Sequence, residues 1–257
     1  MIFVQSAKDW FDKKPSSLNM PDKFLNSIGN ILQTIERGYI HLIESNNLRD
    51  LHRDIHWIIV DAIKNKWNVI LIDMNNSFNP HLISEIAFEN KIQNYEVLQR
   101  INLARPFQIE QAINTIRRLK NEIKSNNKNQ LIIITDIYAR FFKTEHNTMR
   151  KKELIKQFED VQRCIGVLRE LAVDGYTLLV TQNTIIHDTN GKSISPASLK
   201  YAAKIHLKII NSLKCKKIKL LNHPNLPYQE KILIIDTKKS NNAKTHDSMQ
   251  SDLNDFY

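Results

Sequence analysis

The chain has 257 residues, 42% apolar and 25% charged, which fits one large α/β domain with a buried core and argues against a disordered or fibrous chain. No apolar run approaches the roughly 20 residues that span a bilayer, and MIFVQSAKDWFDKK lacks a signal-peptide layout. Two distant cysteines, Cys164 and Cys215, exclude a disulfide framework. The net charge of +10 attracts polyanions such as nucleic acid, although a chain rich in Lys, Asn and Ile carries such a surplus for compositional reasons alone.

Apolar periodicity predicts a helix from Pro21 to Glu36, a turn at Gly38 and a strand over Tyr39–Ile43. A second helix is expected over Arg53–Lys64, with Ile55, Ile58, Ile59 and Ala62 on one face. The strand Asn68–Asp73 follows, then a helix near Leu82–Phe88, a strand at Ile101–Ala104 and an amphipathic helix over Ile109–Ile123. The apolar run Leu131–Thr135 ends at Asp136. A long charged helix over Lys151–Val173 leads into the strand Thr177–Thr181, and Ile205–Ile210, Lys217–Leu221 and Lys231–Ile235 read as later strands. Continuous apolar strands alternating with helices imply an α/β fold with a mostly parallel sheet covered on both faces, with β-rich additions at the end. Ligands of such sheets sit beyond the carboxyl ends of the strands, where Asp73, Asp136 and Thr181–Asn183 fall. Residues 1–20 form an N-terminal segment, 21–237 the core, and 238–257 a polar stretch without periodicity, expected to be a flexible tail.

In order and character these segments resemble the core of the RecA/RadA recombinase family over residues 20–237. VILIDMNNSF (Val69–Phe78) is similar to the family strand that ends in Asp, Thr and the catalytic Glu. LIIITDIYARFFKTEHNTMRKKEL (Leu131–Leu154) resembles its Walker B strand and following basic loop. TLLVTQN (Thr177–Asn183) is similar to the strand ending in Thr-Asn-Gln, and HPNLPYQEKILIID (His223–Asp236) to the late hairpin. By the resemblance, the helix-hairpin-helix domain of longer members is expected to be missing, as in the short RadB-type paralogs. The resemblance implies a RecA-like, P-loop-type core acting in DNA recombination and repair.

The departures are as informative. A P-loop uses glycines to let backbone N–H groups cradle phosphates, a Lys to neutralise them and a hydroxyl to hold Mg²⁺. The equivalent segment HLIESNNLRDLHRDI (His41–Ile55) contains no glycine, and Leu51 and His52 stand near the Lys and Ser/Thr places. Asp50 and Glu44 would add negative charge beside a triphosphate. Asn75 stands at the catalytic Glu position and cannot act as a general base. The expectation is therefore a pseudo-ATPase with no catalytic residues and no cofactor. Weak ATP binding remains open through Asp136, which reads equally as a strand-end aspartate bonding the next turn.

Two loops suggest DNA contact by the resemblance: Arg140, Lys143, Arg150, Lys151 and Lys152 after the Walker B strand, and Lys192, Lys200 and Lys204 in the second loop, with Tyr201 as the nearest aromatic. The alternative is that these are solvated surface charges. At the end of the chain, Gln250, Leu253, Phe256 and Tyr257 fit the Gln-x-x-aliphatic-x-x-aromatic-aromatic pattern of peptides that plug a pocket on the sliding clamp PCNA, against the alternative of a chance match. Phe3–Trp10, with Ser6 and Ala7, lies where family members carry a strand that docks into a neighbour, or is an ordinary edge strand. His187, His206 and His223 lack metal-ligand spacing, and no metal is expected.

The reading that follows is a non-hydrolysing, DNA-binding accessory of recombinational repair, tethered to PCNA. Its partners would be single-stranded or forked DNA and a recombinase or another paralog, with no membrane. It would sit in archaeal cytoplasm with the nucleoid, or in a eukaryotic nucleus. The competing readings are a divergent ATPase completed by a partner subunit, and a structural paralog that does not touch DNA.

Overall fold

A computed structural model describes residues 17–123, 129–141, 151–184, 186–187, 193–194 and 197–235; for 151–154, 186–187 and 193–194 it describes the backbone only. The strands are β1 (Leu18–Asn19), β2 (Thr34–Ile35), β3 (Ile40–Ser45), β4 (Asn68–Asp73), β5 (Ile101–Ala104), β6 (Gln130–Thr135), β7 (Thr177–Asn183), β8 (Ile186–His187), β9 (Ser193–Ile194), β10 (Ile205–Asn211), β11 (Cys215–Asn222) and β12 (Gln229–Ile234). The helices are α1 (Asp22–Ser27), α2 (Leu48–Lys64), α3 (Pro80–Glu89), α4 (Asn94–Gln99), α5 (Ile109–Glu122), α6 (Lys151–Val173) and α7 (Ala197–Ala202).

Eight strands form the central sheet in the order β12-β11-β10-β3-β7-β6-β4-β5. From β10 to β5 every pairing is parallel, and β11 and β12 add antiparallel. This is the α/β architecture with a mostly parallel sheet that the apolar strands imply. Strand periodicity of two splits each strand between two cores. Ile43, Val69, Leu71, Ile133 and Leu179 pack with α1, α2, α3 and α4 on one face. Leu42, Ile72, Ile132, Ile134 and Val180 pack with α5, α6 and α7 on the other. Each buried Ile or Leu contributes roughly 1.5–3 kcal/mol relative to exposure, so the parallel strands are the anchor of the fold.

The expected helix Pro21–Glu36 is much shorter than its apolar pattern suggests. It stops at Ser27, because Gly29 and Asn30 turn left-handed (φ +64° and +57°), and the chain returns as β2 to pair with β1. Asn30, like Gly, tolerates that conformation at little cost. The second helix starts earlier than expected, at Leu48, because Asn47 caps it. The short helices α4 and α7 have too few turns to show a periodic face.

Candidate functional site

The carboxyl ends of β3, β4, β6 and β7 meet at one end of the sheet, and the passages that leave them are unlike one another. Only Asn46 and Asn47 separate β3 from α2. Asn47 Oδ1 accepts the Asp50 N–H (3.2 Å), and its Nδ2 donates to Asp50 Oδ2 (2.7 Å). Asp50 thus sets a carboxylate in the first turn of α2, where the helix dipole favours an anion. Leu51 is buried in the apolar core rather than extended toward the sheet end.

One turn further on, His52 is 2% exposed and reaches across the strand ends. Its Nε2 lies 2.9 Å from Thr181 Oγ1, and Asn75 Nδ2 donates to its Nδ1 at 3.2 Å. The amide donor fixes the tautomer: Nδ1 accepts, so Nε2–H donates to Thr181. Thr181 Oγ1 also accepts the backbone N–H of Asp136 (2.8 Å), and the Thr181 carbonyl accepts that of Ile137 (3.1 Å). Asp136 holds a left-handed backbone (φ +46°) at this junction. Burial lowers the His52 ring to about 4, against the pull of Asp73, and the nearby His56 adds to the fall. The ring is neutral at physiological pH.

Asp73, at the end of β4, is fully buried and is an acceptor for its own loop. It takes the Ser77 N–H and hydroxyl (2.9 and 3.0 Å), the Phe78 N–H (2.9 Å) and the Thr135 hydroxyl (2.9 Å). Arg105 closes on it at 3.3 Å and donates to the Phe78 carbonyl at 2.7 Å. Burial alone would raise the Asp73 carboxyl, but the Phe78 and Ser77 N–H groups and the two hydroxyls hold it below the ordinary range. Thr135 Oγ1 lies 3.2 Å from Asn75 Oδ1, joining this cluster to the His52 bridge. His56, one turn beyond His52, accepts the Asn79 N–H at 2.9 Å, and its Nδ1 donates to the His52 carbonyl.

A second buried cluster lies beside it. Glu44 is 1% exposed, with Lys200 Nζ 3.1 Å and His206 Nε2 3.0 Å away, and it accepts from the Gln182 amide. Burial pushes its carboxyl up, but the bonds and charges of His206 and then Lys200 outweigh it and bring it to about 2. Glu44 therefore does not present the bare negative charge expected from its place in the segment: Lys200 pairs with it. The sequence signal that could have shown this is a carboxylate among the apolar residues of the strand IHLIES.

Among the proposed DNA residues, Arg140 is half-buried with its guanidinium 5.9 Å from the Phe107 ring, and Lys204 is exposed. Lys200 is directed to Glu44. Lys151 and Lys152 open α6, where only the backbone is described. Lys143, Arg150 and Lys192 lie outside the described residues, as do Phe3–Trp10 and the terminal Gln250, Leu253, Phe256 and Tyr257. The positive charge concentrates late in the chain: from Lys200 to Ile235, eight lysines stand against a single carboxylate, Glu230. Lys217 and Lys219 engage that carboxylate at 2.6 and 3.2 Å. His206 is buried against Glu44, and His223 lies 3.5 Å from Glu36. Among the described residues no cluster of His, Cys, Asp and Glu could hold a metal ion, and no helix is long and apolar enough to cross a membrane.

Compared with known families, residues 58–242 match the family model described as Rad51. The match runs from the middle of α2 past the end of β12, and the segment His41–Ile55 precedes it.

Proposed function

From the premise that this chain belongs to the Rad51 family of RecA-type recombinases, we propose that it is a DNA-binding accessory of recombinational repair that does not hydrolyse ATP. Family membership brings a role in DNA repair, with DNA and recombinases as partners. The finer reading is that this member works without turnover, as a mediator or scaffold, and is tethered to PCNA by its last residues.

The observation that carries it is the passage from β3 to α2. Two asparagines cannot wrap backbone N–H groups around a triphosphate, and the first turn of α2 is capped by Asn47 and faced by Asp50. The side chains at the Lys and hydroxyl places are a buried Leu51 and a neutral, hydrogen-bonded His52. Phosphoryl transfer needs positive charge and a metal held against the developing negative charge, and the Lys and hydroxyl places of this segment offer neither. Asn75, bonded to His52 and Thr135, supplies no base. DNA binding draws support from the exposed Lys204 and Lys214 of the lysine-rich stretch between Lys200 and Ile235, of the sequence-independent kind that phosphate contacts give. Clamp tethering rests on the pattern Gln250, Leu253, Phe256, Tyr257.

The test is phosphate release by the purified protein with single-stranded and forked DNA, run beside a salt titration of DNA binding without nucleotide. The reading expects no turnover and an affinity that falls steeply with salt. DNA-stimulated turnover, alone or with a recombinase, would instead identify a divergent ATPase, and absence of DNA binding would identify a structural paralog. For the tether, calorimetry with PCNA should give micromolar binding that the double variant Phe256→Ala, Tyr257→Ala abolishes; no binding by the intact chain removes the clamp from the account.

A further inference from the structure

We propose that His52 and Glu44 are positioning residues that lock the carboxyl end of the sheet in one arrangement, so that this end is preset without any nucleotide. The inference rests on the non-hydrolysing reading above and deepens it: what a bound phosphate would organise is organised here by side chains of the chain itself.

The geometry points to two braces, one on each side of β7. Adjacent residues of a strand face opposite ways, and at the end of β7 both are used. Thr181 turns to α2 and meets His52 at 2.9 Å. Gln182 turns the other way and donates to Glu44 of β3. Each brace then reaches a second segment. Through Thr181 Oγ1, which accepts the Asp136 N–H at 2.8 Å, the His52 brace fixes the first residue after β6. Through Lys200 at 3.1 Å, the Glu44 brace fixes α7, and His206 of β10 lies 3.0 Å from the same carboxylate. The end of β7 and the helix α7 are thus tied to the same buried carboxylate. The Thr184 N–H, bonded to the Ser45 carbonyl at 3.1 Å, closes β7 onto β3 at the same level.

The polarity of these contacts argues for a lock rather than for incidental packing. Thr181, His52 and Glu44 are each at most 2% exposed, and a buried polar group costs about 1–3 kcal/mol when it loses its partner. A displaced β7 end would break the His52, Asp136 and Gln182 contacts together, which makes the arrangement all-or-none. A neutral His52 suits the task, because its ring donates to Thr181 and accepts from Asn75 at once.

Hydrogen exchange on the full chain, with and without millimolar Mg²⁺–ATP, tests this. The amides of Asp136, Ile137 and Thr184 should exchange at the same rate in both conditions. His52→Ala and Thr181→Val should each speed the Asp136 amide at least tenfold. Glu44→Gln keeps a hydrogen-bonding amide but loses the charge that holds Lys200, and should speed the amides of α7 while leaving Asp136 unchanged. The amides of β4 and β6, away from the braces, report folding and should stay protected in all three. Unchanged exchange at Asp136 in both His52→Ala and Thr181→Val overturns the lock while the non-hydrolysing reading stands. Slowing of the wild-type amides by ATP also overturns the lock, since the end of the sheet would then be set by nucleotide, and the non-hydrolysing reading is judged separately by phosphate release. Should His52→Ala fail to fold, Thr181→Val, which removes an oxygen without changing side-chain size, carries the same test.

Discussion

Two strand-to-helix passages at the same end of the sheet treat negative charge in different ways. From β4 to α3 the chain takes the residues 74–79, long enough to curl the N–H groups of Ser77 and Phe78 onto the Asp73 carboxylate, with Arg105 completing the ring. From β3 to α2 it takes two residues, and a single side chain, Asn47, caps the helix. The longer passage is an anion-binding loop whose anion is the last residue of the strand before it. The shorter has no room for an anion except the Asp50 carboxylate beside the cap. Glycine-poor loops can still satisfy helix N-termini, but they do so with internal groups, and a site satisfied internally has little left to offer a ligand.

The largest effect should come from breaking the longer passage. Asp73→Ala leaves two loop N–H groups, the Thr135 hydroxyl and Arg105 without their acceptor, and should cost about 3–5 kcal/mol in urea unfolding. A loss under 1 kcal/mol would mean that the loop does not depend on its carboxylate.

Acid should reach the buried histidines and Glu44 of the β3–α2 segment at different pH. His41 and His52 are each lowered by burial to about 4. In each, one ring nitrogen accepts an N–H: Nε2 of His41 from Glu36, Nδ1 of His52 from Asn75. A ring whose folded value lies below its unfolded one binds its proton in the unfolded chain first. Stability therefore declines as pH falls from about 6.5 toward 4, by roughly 3 kcal/mol for each ring. Glu44, held at about 2, is lost in a lower window, between its unfolded value near 4.5 and 2. Denaturant midpoints measured at pH 7.5, 5.5 and 3.5 separate the two, and His52→Gln should remove its own share of the upper-window loss, leaving that of His41, while the lower window is unchanged.

Smaller effects test the shorter passage. Asn47→Ala removes the cap of α2 and should cost about 1 kcal/mol. Arg53→Ala breaks only an exposed pair with Asp50 at 3.8 Å, so its midpoint should shift by a few tenths of a kcal/mol at most. If Arg53→Ala matched Asn47→Ala, charge rather than capping would organise the helix start.

The sequence announces the frame of this end more clearly than its contents. The runs NVILID, LIIIT and TLLVTQN become β4, β6 and β7 with ends within two residues of expectation, because near-continuous apolar strands suit a parallel sheet covered on both faces. Asp73, Asp136 and Thr181 fall at the strand ends for the same reason. Their partners are not legible. His52 and Thr181 are 129 positions apart, and Glu44 and Gln182 are 138 apart; no local pattern links residues joined only by the strand order. Lys200 reads as a loop lysine beside Lys204, and it takes the fold to aim one at Glu44 and leave the other exposed. The α1 region misled for a different reason: its apolar spacing suits a longer helix, but Gly29 and Asn30 redirect the chain.

The most direct test of the central claim, that side chains have taken the place of nucleotide, is a calorimetric titration of Mg²⁺–ATP into the protein with single-stranded DNA present. No saturable heat up to about 1 mM ATP, the top of the usual KM range, is the result this account predicts. Saturable binding accompanied by DNA-stimulated phosphate release would contradict it.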